Sequence, residues 1–408
     1  IAVGMTREMG KVLAETRGDV QEGIDTAYYA ASEGRRLFGR TVPSELRAKW
    51  AMSWRRPIGV CGLITPFNFP LAIPTWKMFP ALVCGNTVVL KPSEDVPWTA
   101  HRLVELAREA GFPPGVINLV HGRGAQAGRA LMEHPQVPVL SFTGSTTTGS
   151  GIGASAGRMH KRLSLEMGGK NALIVMDDAD LDLALEGVLW GAFGTTGQRC
   201  TATSRLLLHR KVHDRFLARL ADRASRLRLG DGRKPGTEMG PLIHEAARAK
   251  VEAYVAIGDA ERAELVTGGK RPRGTRLTRG WFYPPTIFAG VRPGSRLEQE
   301  EIFGPVLSVV RIGSLEEAIR VNNGVRYGLS SAVYTRNAGT AFQALERLDN
   351  GITYINAPTI GAEAHLPFGG VKETGNGHRE GGWEVYDFYS ETKVGYVDYS
   401  GVLQRAQI

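Results

Sequence analysis

The chain has 408 residues, of which 42% are hydrophobic and 22% charged. That balance is ordinary for a globular protein and excludes intrinsic disorder, a collagen-like repeat and a coiled coil. No apolar run approaches the roughly 18 residues that cross a membrane. The net charge of +9 comes from Lys and Arg residues scattered among acids, so we expect neither a nucleic-acid partner nor a membrane partner.

The cysteine count and the first residue give two further expectations. Cys61, Cys84 and Cys200 form no even set for a disulfide framework, which predicts a reducing, cytoplasmic location. No secretory signal is visible at the start. Because the chain begins at Ile1 rather than Met, we expect a fragment whose natural N-terminus lies upstream.

The first half predicts helices alternating with short apolar strands. Two helices, residues 5–15 and 19–38, precede an alternating stretch, residues 41–56, that predicts a strand pair. Strands are then predicted at residues 58–64, 87–90, 116–120, 138–142 and 162–167, and helices between them at 71–83, 98–110, 125–134 and 145–157. Strands separated by helices of this length indicate a parallel sheet covered by helices.

The second half repeats this alternation. Its predicted strands are residues 172–176, 205–208, 306–311, 331–334 and 352–355, and its predicted helices are 181–192, 212–227, 245–257, 315–322 and 338–348. Residues 268–280 read as an exposed loop, and residues 393–399 as a terminal strand. The simplest architecture is therefore two α/β domains with a small β appendage.

Three polar residues at predicted strand or loop ends are candidates for catalysis. Cys200 follows Arg199, a cation that can lower the pKa of a thiol, although most cysteines are simply small buried residues. Glu166 ends a strand before a glycine pair, at the sheet edge where ligands bind, or it is an exposed loop acid. Asn68 can donate to an oxyanion, or it forms a turn beside Pro70.

Two further segments offer phosphate or ribose contacts. Residues 142–146, Phe-Thr-Gly-Ser-Thr, link a strand to a helix N-terminus, which is an anion site or a plain capping turn. Residues 91–94, Lys-Pro-Ser-Glu, pair a cation with a carboxylate after another strand. No G-x-G-x-x-G fingerprint is present, and no Ser-His-Asp set is predicted. His209 and His213 lack a third ligand, so no metal site is predicted.

Taken together, seven motifs resemble the NAD(P)-dependent aldehyde dehydrogenase superfamily in their order along nearly the whole chain. Glu166 and Cys200, 34 residues apart, belong to two of them. The motifs are residues 65–70, 91–94, 142–146, 165–170, 197–200, 301–305 and 367–370. Phe67 is a departure, since many members have Trp there. The resemblance implies an α/β fold with a Rossmann-type cofactor domain, an α/β catalytic domain and β oligomerisation strands.

The same resemblance implies the boundaries of these domains. The NAD-binding domain would comprise residues 1–38 and 58–168, incomplete at its start. The catalytic domain would comprise residues 169–389. The oligomerisation strands would come from residues 39–57 and 390–408 and join subunits into a homodimer or homotetramer.

By resemblance, the reaction is NAD-dependent oxidation of an aldehyde or semialdehyde to the acid. Cys200 would attack the aldehyde to give a thiohemiacetal and then a thioester, Asn68 would hold the oxyanion, and Glu166 would activate water. A silent or truncated structural subunit is the alternative. An acylating dehydrogenase is disfavoured, because a base for water is wasted when a thiol is the acceptor.

The implied cofactor is NAD, with some use of NADP, because Glu94 favours a 2′-hydroxyl over a 2′-phosphate while Lys91 tolerates the phosphate. The implied cofactor-binding residues are Thr65, Pro66, Phe67, Lys91, Ser93, Glu94, Gly124, Gly128, Phe142, Thr143, Gly144, Ser145, Gly168, Glu301 and Phe303.

The substrate residues are expected at two places. Residues 356–363 are similar to the substrate-anchor loop of the aminoadipic semialdehyde dehydrogenase branch, which implies contacts from Ala362 and Glu363. Arg199, beside the nucleophile, would pair with a distal carboxylate of an acidic semialdehyde. Residues 365–367 are more similar to a general bacterial aldehyde dehydrogenase, so a broad aldehyde or semialdehyde oxidiser is expected.

Overall fold

The computed structural model describes residues 1–274 and 277–405. It opens with two helices, Ala2–Met9 and Leu13–Glu33. The predicted helix over residues 5–15 is wrong, because Gly10 adopts φ 84° and donates to the Thr6 carbonyl at 2.9 Å, which ends the first helix. A left-handed glycine is the usual helix terminator. The second helix therefore begins six residues before the predicted residue 19.

The first sheet has five parallel strands. In spatial order they are Ile117–Leu119, Thr87–Lys91, Val60–Ile64, Val139–Thr143 and Arg162–Glu166. The helices that cover it are Ala72–Val83, Pro97–Glu109, Arg129–Glu133 and Thr146–Arg158. Its earliest strand lies in the centre, so the strand order reverses beside it. Ligands bind at such a reversal, outside the carboxyl ends of the strands.

Residues 125–134 were predicted as one helix, but their first part is a π-helical turn, Gly124–Gly128. The α-helix proper is limited to Arg129–Glu133. Glycines at both ends of the turn weaken the preference for regular helix.

The second sheet has seven strands. In spatial order they are Glu264–Thr267, Thr286–Ala289, Val306–Ile312, Thr203–His209, Asn171–Val175, Ser330–Tyr334 and Ile352–Ile355. The first pair is antiparallel and the others are parallel. Its helices are Leu181–Phe193, His213–Ser225, Glu245–Ala260, Arg296–Gln299, Leu315–Asn323 and Ala338–Arg347.

A third sheet forms the predicted appendage. Lys49–Pro57 pairs antiparallel with both Arg40–Pro43 and Ser390–Asp398. Trp50, Trp54 and Tyr396 are exposed on it. Two smaller elements complete the fold: the strand pair Tyr327–Gly328 with Val371–Lys372, and the helix Val385–Phe388.

The α/β fold class predicted from the sequence is confirmed by this arrangement. The central strands of both sheets are buried and apolar, as in parallel sheets covered on both faces. Within the described ranges, the helices are all too short or too polar to cross a bilayer. Of the predicted loop over residues 268–280, residues 275 and 276 lie outside the described part. Residues 406–408 of the predicted appendage also lie outside the described part.

Candidate active site

A groove of about 540 Å³ runs along the carboxyl ends of the first sheet. Its lining includes fourteen of the fifteen residues predicted for the cofactor: Thr65, Pro66, Phe67, Lys91, Ser93, Glu94, Gly124, Phe142, Thr143, Gly144, Ser145, Gly168, Glu301 and Phe303. Gly128 is buried and does not line the groove. In a parallel sheet the carboxyl ends of the strands lie along one edge, so the segments that follow several strands meet at this groove.

One wall of the groove is the N-terminus of the helix Thr146–Arg158. Ser145 is its N-cap, and its hydroxyl accepts from the Thr148 backbone N–H at 3.3 Å. A Cβ at Gly149 would lie 2.4 Å from the Met167 sulfur, so only glycine lets this helix pack so closely. The free backbone N–H groups and the helix dipole favour an anion here.

A second wall carries the pair Lys91 and Glu94. Lys91 Nζ lies 3.2 Å from Glu94 Oε2, and Lys91 is buried while Glu94 is exposed. Burial raises the pKa of the Glu94 carboxyl, but backbone hydrogen bonds and Lys91 outweigh it, so the pKa lies below its ordinary value. Glu94 therefore presents a carboxylate, a suitable acceptor for sugar hydroxyls.

The far end of the groove is closed by the loop that carries Glu301 and Phe303. Glu301 Oε1 accepts from the Gly169 N–H at 2.9 Å, and a Cβ on Gly168 would lie 2.4 Å from Glu301 Oε2. Burial raises the pKa of Glu301. Phe303 adopts φ 61° and packs edge-on against Phe67 with ring centroids 5.9 Å apart.

Cys200 sits at the end of a strained loop. Thr195, Thr196 and Gly197 have φ values of 49°, 58° and 69°, a conformation that β-branched residues resist. Glu15 holds the loop, because its carboxylate accepts from the Thr195 N–H at 2.9 Å and pairs with Arg199 at 2.9 Å. Sequence reasoning missed Glu15, since nothing near residue 15 points to a loop 180 residues away.

Cys200 lines both the groove and an inner cavity of about 100 Å³. Its carbonyl accepts from the Asn171 amide at 2.7 Å, which fixes the loop to the second sheet. Burial, followed by the charges of Glu166 and Glu301, raises the pKa of the Cys200 thiol to about 12. The resting thiol is thus protonated, and its reaction requires a base nearby.

Glu166 also lines the inner cavity. It is 3% exposed, and neither carboxylate oxygen has a hydrogen-bond partner among the described residues. Burial and the neighbouring Glu380 raise its pKa well above the ordinary value, against the opposing charges of Lys77 and Arg379. A buried, unpaired carboxyl facing a cavity is the arrangement expected of a general base.

Lys77 and Glu380 form a buried ion pair beside Glu166. Lys77 also donates to the Ser141 hydroxyl at 2.7 Å. Sequence reasoning did not identify either residue. The sequence offered one signal, since Lys77 is the one charged residue in the mostly apolar helix Ala72–Val83. A lysine is almost never fully buried without a partner, so its position predicts a carboxylate nearby.

Asn68 lines the groove together with Cys200 and is 2% exposed. Its side-chain oxygen has no hydrogen-bond partner among the described residues. Its backbone carbonyl accepts from Lys11 Nζ at 3.0 Å, which anchors the segment. The backbone that carries the Asn68 side chain is therefore anchored beside the groove.

An outer cavity of about 650 Å³ adjoins the inner cavity. The three residues predicted for the substrate, Arg199, Ala362 and Glu363, all line it. The structure gives Arg199 an internal partner, since its guanidinium pairs with Glu15 and also bonds the Thr195 hydroxyl at 2.9 Å. A substrate carboxylate would have to compete with Glu15 for this cation.

Within residues 1–274 and 277–405, no three His, Cys, Asp or Glu side chains are grouped so that they could hold a metal ion. The cysteines Cys61, Cys84 and Cys200 are all free.

Comparison with known proteins gives a consistent result. The sequence profile of the Aldehyde dehydrogenase family matches residues 1–394. Alpha-ketoglutaric semialdehyde dehydrogenase of Bacillus subtilis is 41% identical over 397 residues, which is 97% of this chain and 81% of the relative. Betaine aldehyde dehydrogenase of the same organism is 43% identical over 391 residues, covering 95% of this chain and 79% of the relative.

Solved structures agree with the sequence comparison. A putative aldehyde dehydrogenase from Burkholderia cenocepacia superposes with a TM-score of 0.96 at 40% identity, covering 99% of this chain and 82% of that one. Betaine aldehyde dehydrogenase from Staphylococcus aureus in complex with NAD+ gives a TM-score of 0.96 at 37% identity, over 98% of this chain and 80% of the other.

Proposed function

Because the chain belongs to the aldehyde dehydrogenase family, we propose that Cys200, Glu166 and Asn68 carry out its NAD-dependent oxidation of an aldehyde or semialdehyde to the carboxylic acid. One observation supports this assignment most strongly. Cys200 is shared by the groove and the inner cavity, so one thiol faces both a cofactor and a substrate.

The residues of the groove suit NAD. The helix N-terminus at Ser145 offers N–H donors to a pyrophosphate, and the Lys91–Glu94 pair offers a carboxylate to ribose hydroxyls. Glu301, held by the Gly169 N–H, faces the end of the groove that Cys200 shares. When bound there, NAD supplies the acceptor for the hydride that leaves the substrate carbon.

Cys200 forms the covalent bond to the aldehyde carbon in this proposal. The thiol loses its proton to a base as sulfur attacks, and the carbonyl oxygen becomes the oxyanion of a thiohemiacetal. The Asn68 amide and the Cys200 backbone N–H would donate to that oxyanion. After hydride loss the carbon remains on Cys200 as a thioester.

Glu166 would act on water. Its carboxylate accepts a proton from a water molecule that attacks the thioester, which releases the acid and regenerates the thiol of Cys200. The raised pKa of Glu166 suits this task, because the base becomes stronger as its carboxylate is less well solvated.

The carboxylate of Glu94 supports a preference for NAD over NADP, since it would repel a 2′-phosphate while Lys91 partly offsets the repulsion. We further assign NAD binding to residues 1–38 and 58–168 and catalysis to residues 169–389. The exposed aromatic side chains of the third sheet support subunit pairing through residues 39–57 and 390–408. The free cysteines support a reducing, cytoplasmic location.

The test is NADH formation at 340 nm with a panel of aldehydes, for the wild type, Cys200→Ala and Cys84→Ala. Cys84 is a buried cysteine outside the groove and both cavities, so it is the matched control. We expect NADH from the wild type and from Cys84→Ala, and none from Cys200→Ala. NADH formation that survives in Cys200→Ala would contradict the assignment.

A further inference from the structure

The two donors of the proposed oxyanion site come from distant parts of the chain. Asn68 follows the strand Val60–Ile64 of the first sheet, and Cys200 precedes the strand Thr203–His209 of the second. Both donors must reach one oxygen atom, and a misplacement of about 1 Å costs about 10²-fold in rate. The fold therefore needs a connection that fixes the distance between these two segments.

Lys11 contacts the segment that carries Asn68 in two ways. Its Nζ donates to the Asn68 carbonyl at 3.0 Å and lies 3.6 Å from the ring centroid of Phe69. The same Nζ pairs with Asp19 at 3.1 Å, and both charged side chains are fully buried. The other oxygen of Asp19 accepts from the Ala72 N–H at 2.8 Å. The buried pair thus fixes this segment at both of its ends.

The turn that carries Lys11 also packs against the support of the Cys200 loop. A Cβ at Gly240 would lie 2.1 Å from the carbonyl oxygen of Gly10, so the two backbones are in direct contact. The Gly240 carbonyl accepts from the Thr196 hydroxyl at 3.0 Å, inside the strained loop before Cys200. The turn therefore rests on the same structure that holds Cys200.

Glu15 strengthens this connection, because it lies four residues after Lys11 and accepts from the Thr195 N–H of the Cys200 loop at 2.9 Å. Residues 11–15 thus bind the Asn68 segment at one end and the Cys200 loop at the other. A buried ion pair contributes little net stability, since desolvation offsets the attraction. A role in geometry accounts for the place of this pair between the two segments.

We propose that Lys11 is a positioning residue of the oxyanion site, which holds the Asn68 amide at a fixed distance from Cys200. The inference rests on the proposed function, because it takes Asn68 and Cys200 as the donors to the oxyanion. Lys11 lines neither the groove nor the inner and outer cavities. It therefore acts through Asn68 and not by touching the substrate or the cofactor.

Two variants remove the contact. Lys11→Met deletes the donor to the Asn68 carbonyl but leaves Asp19 buried without its cation. The second variant combines Lys11→Met with Asp19→Asn, so that no unpaired charge is buried and an acceptor oxygen is kept. Lys211→Met is the control, because Lys211 pairs with Asp177 at 2.7 Å in an exposed contact outside the groove and both cavities.

Two rates are measured for each protein with saturating NAD. One is NADH formation in the first turnover, by stopped flow, and the other is alkylation of Cys200 by iodoacetamide, by peptide mass. Attack on the aldehyde creates an oxyanion, whereas in alkylation the sulfur displaces iodide from a saturated carbon and no charge develops on oxygen. Loss of the oxyanion site therefore slows only the first rate, and a loosened Cys200 loop slows both.

We expect Asn68→Ala to reduce the first-turnover rate at saturating aldehyde about 10²–10³-fold, and both Lys11 variants to reduce it about 10- to 100-fold. Alkylation should be unchanged in all three, and Lys211→Met should match the wild type in both rates. Because Lys11 acts through Asn68, adding either Lys11 variant to Asn68→Ala should cause no further loss.

Four results would overturn the inference. They are a wild-type first-turnover rate in both Lys11 variants, an equal slowing of alkylation, a loss that multiplies with that of Asn68→Ala, and a failure of both variants to fold. The last is measured by thermal unfolding and would assign the Lys11 pair to folding alone.

The proposed function is judged by other proteins in the same experiment. No NADH from the wild type, NADH from Cys200→Ala, or a wild-type rate in Asn68→Ala would contradict that function. A slow Asn68→Ala beside fully active Lys11 variants would leave the function intact and remove only the role of Lys11.

Discussion

Glu166 combines deep burial with two carboxylate oxygens that lack hydrogen-bond partners. Its pKa is raised, so the ionised base becomes populated only as the pH increases. We expect the steady-state rate to rise with pH accordingly, and Glu166→Gln to reduce it about 10²–10⁴-fold and to remove the rise. A wild-type rate and pH profile in this variant would contradict the assignment.

The same raised pKa has a consequence for stability. Above pH 4.5, the unfolded carboxyl releases its proton while the folded one retains it, so the folded state loses stability as the pH rises towards the folded pKa. Glu166→Gln removes this loss. The variant should therefore unfold at a higher temperature than the wild type at pH 8, with a smaller difference at pH 5. This thermal shift is independent of turnover.

Residue types and their order predicted Cys200, Glu166 and Asn68 as catalytic residues, and the structure brings all three to the groove or the inner cavity. Their partners were not predictable, because each lies far away in sequence. Glu15, Lys77 and Glu380 reach the site only through tertiary packing. Gly128, which motif order placed along the groove, is buried and does not line it.

At the scale of elements, the strained loop before Cys200 depends on the helix Leu13–Glu33. Glu15→Gln removes the charge that binds Arg199 and weakens the hydrogen bonds to Thr195. We expect a loss of about 1–3 kcal/mol in the free energy of unfolding, together with a slower first turnover, because the loop relaxes from its left-handed conformation. Urea unfolding and stopped-flow NADH formation measure the two effects.

Glu33→Gln is the control for this prediction. Glu33 lies on the same helix and pairs with the exposed Arg36 at 2.7 Å, a surface contact that contributes little. If Glu15→Gln were no more destabilising than Glu33→Gln, the helix would not be holding the loop.

Element prediction succeeded where apolar strands alternate regularly with helices. The strands Val139–Thr143 and Ile352–Ile355 fall within a residue of the predicted bounds. The strands Glu264–Thr267 and Thr286–Ala289 were missed. Both border the irregular Gly-rich segment, where the regular alternation of strand and helix is interrupted, so they were not recognised locally.

At the scale of the whole molecule, the third sheet leaves Ser390–Asp398 as an exposed edge. Its exposed apolar residues and its unpaired backbone groups favour pairing with a second copy. We expect an oligomer by light scattering at micromolar protein, and a monomer for the double variant Val394→Lys, Tyr396→Lys. Phe342→Lys, an equally exposed position on the helix Ala338–Arg347, should remain oligomeric. A wild-type monomer would remove the proposed role of this sheet.

The overall architecture was predictable because parallel α/β folds leave a strong signature of buried strands separated by helices. The arrangement of the cavities was not, since it depends on how the helix Leu13–Glu33 packs against the helix Ala72–Val83 and the loop before Cys200. The outer cavity, for example, is lined both by carboxylates of the helix Leu13–Glu33 and by Glu363. Glu363 lies more than 300 residues further along the chain, so sequence patterns do not bring these groups together.

In the proposed reaction, the substrate carbon becomes a thioester on Cys200. The most direct measurement is intact-protein mass spectrometry of Glu166→Gln after rapid mixing with NAD and an aldehyde. We predict about one NADH per chain, and a mass increase equal to the acyl group that maps to the peptide containing Cys200. NADH released without an acyl group on Cys200, or with the acyl group on another residue, would contradict the account.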